Sequence, residues 1–175
     1  MKTPIPPSAR KPLWTKVVLL LFVAAIAGAS YFALFSRQSA PDVTFSSLDG
    51  KQISMQSLRG KVVVVNFWAT SCTTCVAEMP EMVETYEKYK ARGMDFVAVA
   101  MQYDPPNYVI NFAQTRKLPF TVALDHTGNV AAAFGDVQMT PTTFVVDKNG
   151  TVLKRYLGQP DFAAFHQLLE QALAA

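Results

Sequence analysis

The sequence contains few residues of the kinds that bind metals or cross-link a fold. Of its 175 residues, only two are cysteine and two are histidine. Cys72 and Cys75 lie too close together to join distant parts of a chain, which excludes a framework of structural disulfides. A zinc site normally takes four ligands, and His126 and His166 are the only histidines that could complete one. The sequence therefore predicts neither a disulfide scaffold nor a metal or other cofactor.

The sequence also has a small net charge and one long stretch without charged residues. The net charge is only +3, and the sequence has no basic patch of the kind that binds nucleic acid. Residues 17–35 contain no charged side chain at all. As a helix these residues are about 28 Å long, which is close to the thickness of the hydrocarbon core of a bilayer. We therefore predict a transmembrane helix over residues 17–35.

The basic residues of the N-terminal region all precede this apolar stretch: Lys2, Arg10, Lys11 and Lys16. The positive-inside rule places residues 1–16 in the cytoplasm and the remainder across the membrane. A cleaved signal peptide is the alternative, because Ala27-Gly28-Ala29 is similar to a cleavage site. The apolar run continues beyond that site, so we favour an uncleaved signal anchor. A linker over residues 36–41 and one exported domain over residues 42–175 should follow.

Segments typical of strands and helices alternate through residues 42–175. A β-hairpin is predicted around Asp49-Gly50, and the β-branched run from Val62 to Phe67 is typical of a central strand covered on both faces. A helix should follow from Thr73 to Ala91, and another from Pro160 to Ala174 should close the chain. This order predicts an α/β fold with a mixed central sheet and helices on both faces.

The two cysteines stand where the central strand gives way to the first of these helices. Backbone N–H groups in a first helical turn lack partners, and the helix dipole adds positive charge, so both favour a thiolate on Cys72. Cys75 lies one turn later on the same side, where it can attack a mixed disulfide formed at Cys72. The motif therefore indicates thiol–disulfide exchange. Half of a zinc site and a pair of inert buried thiols are the alternatives.

The segment Asn66-Phe67-Trp68-Ala69-Thr70-Ser71-Cys72-Thr73-Thr74-Cys75 resembles the active-site segment of thioredoxin-like proteins. It is most similar to the membrane-anchored TlpA/ResA group of bacterial thiol-disulfide oxidoreductases. Further matches are Leu58-Arg59-Gly60-Lys61, Glu78, Pro80 and Thr140-Pro141-Thr142-Thr143-Phe144, and the resemblance extends in order over about residues 42–173. It implies a thioredoxin-like fold in which Cys72 and Cys75 form the redox-active disulfide.

The resemblance also implies roles for other matched residues. Pro141 is expected to be a cis-proline facing the cysteines, with the Thr140 backbone pairing with a substrate strand. Trp68 is assigned to substrate binding together with them. Glu78 is expected to lie partly buried near the cysteines and to exchange a proton with the resolving thiol. The alternative for Glu78 is a solvent-facing residue that stabilises the helix dipole.

Two positions depart from the pattern that the resemblance leads us to expect. Members of the group often carry tryptophan before the first cysteine and proline before the second, whereas this chain has Ser71 and Thr74. Losing the tryptophan opens the surface over Cys72, and Thr74 restores a backbone N–H that proline lacks. Both changes bear on the reduction potential and leave the direction of exchange open.

By resemblance, the expected function is reduction of disulfides in apocytochrome c or other exported proteins. Electrons would come from a membrane-embedded thiol carrier. The protein is expected to be a monomer with a single span in the bacterial inner membrane and its domain in the periplasm. Two alternatives stay open: an oxidant or isomerase that uses the same residues, and a chaperone that holds copper(I) between the thiolates.

Overall fold

The computed structural model describes residues 13–35 and 38–175. The predicted cytoplasmic residues 1–12, with Lys2, Arg10 and Lys11, and the first two linker residues lie outside the described residues. The chain divides into two units, Met1–Ser36 and Arg37–Ala175. Helix α1 (Leu13–Phe35) belongs to the first. When only the described residues are counted, no helix reaches the length and apolarity needed to cross a membrane.

The second unit contains all the strands and four further α-helices of the described chain. In order they are β1 (Thr44–Ser46), β2 (Gln52–Ser54), β3 (Val62–Trp68), α2 (Thr73–Tyr89), β4 (Met94–Ala100), α3 (Pro106–Arg116), β5 (Thr121–Leu124), α4 (Asn129–Ala133), β6 (Thr142–Val146), β7 (Val152–Leu157) and α5 (Phe162–Ala174). β1 and β2 pair antiparallel where the sequence predicts a hairpin. The other strands form one sheet in the order β5-β4-β3-β6-β7.

This sheet is mixed and has the thioredoxin-like arrangement expected from the sequence. β3 pairs parallel with β4 and antiparallel with β6, and all seven of its residues are buried. Its side chains alternate between two apolar clusters, with Val62 and Val64 on one face and Val63 and Val65 on the other. The β-branched run is therefore buried on both faces of the sheet. This burial explains why its sequence does not alternate between apolar and polar residues.

The cluster on one face of the sheet contains apolar residues of α2, α3 and α5, including Met82, Val109 and Leu169. The cluster on the other face contains residues of β1 and α4, including Phe45 and Val130. Helices therefore cover both faces, and α2 runs from the end of the most buried strand. The first turn of α2 consequently starts at the carboxyl edge of the sheet, where β3 and β4 both end.

Three details differ from the sequence-based expectations. The helix predicted to reach Ala91 ends as α-helix at Tyr89 and continues as a 3₁₀ turn (Lys90–Arg92), before Gly93 adopts a left-handed φ of 94°. The closing helix, predicted from Pro160, begins as α5 at Phe162, because Asp161 caps it by accepting the Ala164 N–H. Residues 38–40, predicted as linker, are held by backbone hydrogen bonds to residues 150–152.

Candidate active site

Cys72 and Cys75 form a disulfide, with their Cα atoms 5.2 Å apart. Cys72 is the N-cap residue of α2, with extended backbone angles, and its Sγ accepts the Cys75 backbone N–H at 3.2 Å. Cys72 is partly exposed, whereas Cys75 is fully buried in the apolar cluster against α2. An external disulfide therefore has access to Cys72 first, and Cys75 is left to react within the protein.

The loop that leads into Cys72 is held by Asp104, a residue that sequence reasoning missed. The buried carboxylate of Asp104 accepts the Thr70 backbone N–H and the Thr70 hydroxyl, each at 2.6 Å. In the same loop the Cys72 N–H donates to the Ala69 carbonyl at 3.1 Å. One signal was available in the sequence: an acidic residue soon after β4, which ends beside β3 at the same edge of the sheet.

The Thr140–Pro141 peptide bond is cis, as the resemblance implies. Pro141 directly precedes β6, whose Thr142 lies opposite Phe67 of β3, so the proline stands at the sheet edge where β3 leads to Cys72. Pro141 is buried and its carbonyl accepts the Gly158 N–H at 2.8 Å, while Thr140 remains partly exposed. Topology thus brings Thr140 and Pro141 to the edge that carries the cysteine pair.

Tyr103 is a second residue near this edge that the sequence did not single out. Its hydroxyl lies 3.3 Å from the Thr140 hydroxyl, and the residue is 56% exposed. Met139, next to Thr140, is similarly exposed at 59%. The residues beside the cis-proline therefore present an aromatic ring and a thioether to solvent, which are apolar groups suited to contact with a substrate chain.

Glu78 is fully buried one turn after Cys75, so the solvent-facing alternative does not apply. Burial raises the pKa of its carboxyl to about 7, an effect that the Asn66 amide opposes and the nearby charge of Glu81 reinforces. Asn66 Nδ2 donates to Glu78 Oε1 at 3.1 Å and to Thr143 Oγ1 at 2.9 Å. Glu78 Oε2 and Asn66 Oδ1 are both buried without a hydrogen-bond partner among the described residues, and a proton on the carboxyl would give it a hydrogen to donate.

Trp68 does not fit the substrate-binding role that the resemblance suggests. Its side chain has no exposed surface, and its ring packs against Phe112 with ring centroids 5.1 Å apart. It belongs to the same apolar cluster as Cys75, so it packs behind the cysteine pair. Trp68 therefore has no surface from which it could contact a substrate in this structure.

The described residues contain no group of three or more histidine, cysteine or acidic side chains placed to hold a metal ion. The reactive groups at the site are instead the cysteine pair and the carboxyl of Glu78. Together they provide an accessible sulfur, a buried second sulfur and a carboxyl that changes protonation near neutral pH. This arrangement can exchange a disulfide and move the proton that the exchange requires.

Comparison with known proteins gives a consistent result. Residues 36–169 match the family model described as Redoxin. The chain is 33% identical over 155 residues to the thiol-disulfide oxidoreductase ResA of Bacillus cereus, covering 84% of this chain and 88% of the relative. It is 38% identical over 149 residues to the ResA of Geobacillus thermodenitrificans, covering 81% and 84%. A thiol:disulfide interchange protein from Chlorobium tepidum TLS matches with a TM-score of 0.71 and 32% identity, over 78% of this chain and 97% of that one.

Proposed function

Given that the chain belongs to the Redoxin family and is a thiol-disulfide oxidoreductase, we propose that it reduces disulfides of exported proteins while tethered to a membrane. Apocytochrome c is one substrate of the right chemistry, since it presents two nearby cysteines. A membrane-embedded thiol carrier would return the oxidised Cys72–Cys75 pair to its reduced form. The protein is expected to act as a monomer.

The proposed reaction proceeds in two exchanges. The Cys72 thiolate attacks one sulfur of the substrate disulfide, so that a bond forms between Cys72 and the substrate and the other substrate sulfur leaves as a thiolate. Cys75 then loses its proton and attacks Cys72 Sγ, which releases the second substrate sulfur as a thiolate. Two electrons pass from the cysteine pair to the substrate, and the pair ends as the disulfide seen in the structure.

The direction of exchange is supported chiefly by the electrostatics of α2. A dithiol is a strong oxidant when its reduced, thiolate form is stabilised. Between Cys72 and Lys88 the sequence has four glutamates, at 78, 81, 84 and 87, and no lysine or arginine. Among the described residues, the hydrogen bond to Cys72 Sγ comes from the Cys75 N–H in the first turn of α2. The exposed glutamates 81, 84 and 87 lie more than two turns from Cys72 and are screened by solvent. Glu78, one turn after Cys75, is therefore the carboxyl that opposes a thiolate on the pair and favours a pair that gives up its electrons.

Glu78 fits the role of proton acceptor for the resolving step. Cys75 is buried, and its thiol has to lose a proton before it can attack. The Glu78 carboxyl lies one helical turn away, and burial raises its pKa to about 7, so that its acid and base forms coexist at neutral pH. We propose that Glu78 takes this proton during reduction of a substrate and returns it when the pair is reduced again.

The proposed tether is the uncharged stretch of residues 17–35, with the basic residues before it in the cytoplasm. Its support is the absence of charge, the preceding basic residues and the helical backbone of α1. The proposed location is the bacterial inner membrane, with the domain on the periplasmic side.

We expect the full chain to stay in the membrane fraction after an alkaline carbonate wash. A chain that begins at Arg37 should be recovered in the soluble fraction. Protease added to spheroplasts should digest the domain of the full chain. Recovery of the full chain in the soluble fraction, or protection from external protease, would contradict the tether or its orientation respectively.

The substrate class is tested by trapping. In the full-length Cys75→Ala variant the mixed disulfide at Cys72 has no resolving thiol, so we expect covalent adducts that are released by dithiothreitol. Mass spectrometry of the adducts should identify exported proteins with paired cysteines. The matched control is the variant that lacks both cysteines, which should form none. Adducts made up of cytoplasmic proteins alone would contradict the proposal.

A further inference from the structure

Asp104 is a buried carboxylate that takes no part in the exchange reaction described above. Only 4% of its surface is exposed, and both of its oxygens accept hydrogen bonds from Thr70. A buried charge is costly unless its hydrogen bonds are satisfied, and hydrogen bonds to an ionised acceptor are stronger than neutral ones. The contact between Asp104 and Thr70 is therefore strong, and its position just before Cys72 needs a physical explanation.

Thr70 lies two residues before Cys72, in the short loop between β3 and α2. Asp104 is itself fixed to the sheet, because its N–H donates to the Met101 carbonyl at 2.9 Å. The Met101 N–H in turn donates to the Trp68 carbonyl at 3.0 Å, at the last residue of β3. The loop before Cys72 is thus held at both sides: by the strand it leaves and, through Asp104, by the neighbouring strand.

We propose that Asp104 is a positioning residue for Cys72, and that it acts through Thr70. By fixing the Thr70 backbone and hydroxyl, it holds the loop so that Cys72 stays at the N-cap with its Sγ facing the Cys75 N–H. Misplacement of a reacting atom by about 1 Å can slow a reaction by about 100-fold, so a loosened loop slows the attack. The inference rests on the proposed role of Cys72 as attacking thiol and is independent of the direction of exchange.

The chemistry of the pair decides which substitutions test it. The carboxylate offers two acceptor oxygens for the two donors of Thr70, and alanine removes both. Asparagine is a poor test, because its oxygen can accept the Thr70 N–H while its N–H₂ group donates to the Thr70 hydroxyl. Thr70 can be varied without touching the buried charge. Valine has nearly the shape of threonine and lacks the hydroxyl, while serine keeps the hydroxyl and loses only a methyl group.

The test measures how fast Cys72 in the reduced full-length protein attacks a small aromatic disulfide, 5,5′-dithiobis(2-nitrobenzoate). We expect Thr70→Val to slow the attack by about fivefold or more, and Thr70→Ser to stay within about twofold of the parent. Rescue by serine separates positioning from general destabilisation, since each variant changes one group of the same partly exposed side chain. A Thr70→Val protein that reacts at the parent rate overturns the proposal.

A double-mutant cycle tests whether Asp104 acts through Thr70. Asp104→Ala alone should slow the attack, and adding Thr70→Val should slow it little further, because the two residues belong to one contact. A double variant slowed by the product of the two single effects overturns that coupling. If Asp104→Ala does not fold, the comparison of valine with serine at Thr70 is the deciding test. Reaction that persists in Cys72→Ala would instead refute the assignment of Cys72 as the attacking thiol.

Discussion

Replacement of Cys72 by alanine reduces disulfide exchange to the rate of the uncatalysed reaction. The reason lies in exposure: Cys72 is the partly exposed member of the pair, and Cys75 is fully buried and has no surface from which to attack an external disulfide. The measurement is reduction of insulin by the full-length protein with a chemical thiol as electron source. Both cysteines are needed for complete turnover, but only loss of Cys72 should prevent the first covalent step.

Two further variants serve as controls for this prediction. Cys75→Ala should still react once with a disulfide and then stop as a mixed disulfide. Ser71→Ala changes the exposed neighbour of Cys72 and should leave turnover within about twofold of the parent, since its side chain takes no part in exchange. A Cys72→Ala protein that still forms a mixed disulfide, through Cys75, would show that the roles of the two cysteines are reversed.

The Glu78→Gln variant should gain stability relative to the parent as pH rises. The carboxyl titrates near its ordinary value of 4.5 in the unfolded chain and at about 7 in the folded domain. Between these values the folded state binds more protons, so the free energy of unfolding of the parent falls as pH increases through this window. A neutral amide does not titrate and escapes this loss, which corresponds to at most about 3 kcal/mol.

The experiment compares denaturant unfolding of both proteins at about pH 4 and about pH 8, with the disulfide intact. The difference in free energy of unfolding between Glu78→Gln and the parent should grow with pH. Glu84→Gln is the matched control, because Glu84 lies on the same helix and is exposed. A difference that stays constant over this range would mean that the pKa of Glu78 is the same in the folded and unfolded states, against the proton-acceptor role.

Much of the fold was predictable because the central strand and its helix follow local rules. The β-branched run of β3 is buried on both faces, and Cys72 stands where strand gives way to helix, so sequence order alone placed the cysteines at a helix N-terminus. The helix predicted from Thr73 and the closing helix predicted to end at Ala174 both occur, as α2 and α5.

The parts that escaped prediction depend on contacts between distant residues. Asp104 contacts Thr70 across a separation of 34 residues, and only the parallel pairing of β3 with β4 brings them together. The burial of Trp68 also depends on packing. From sequence alone, a tryptophan beside an active-site motif is equally compatible with a buried and with an exposed position. The ordering of residues 38–40 against residues 150–152 has the same origin, since a polar segment gives no sign of its backbone partners.

The central claim is that the Cys72–Cys75 pair is a reductant, and its reduction potential tests that claim most directly. The full-length protein in detergent is equilibrated with redox buffers of known potential, and the fraction of reduced pair is measured by alkylation of the free thiols. We predict a potential near that of thioredoxin, at about −270 mV, because the Glu78 carboxylate one turn after Cys75 disfavours the thiolate form of the pair. A value near about −120 mV, typical of a strong periplasmic oxidant, would contradict the account and make the protein a disulfide donor.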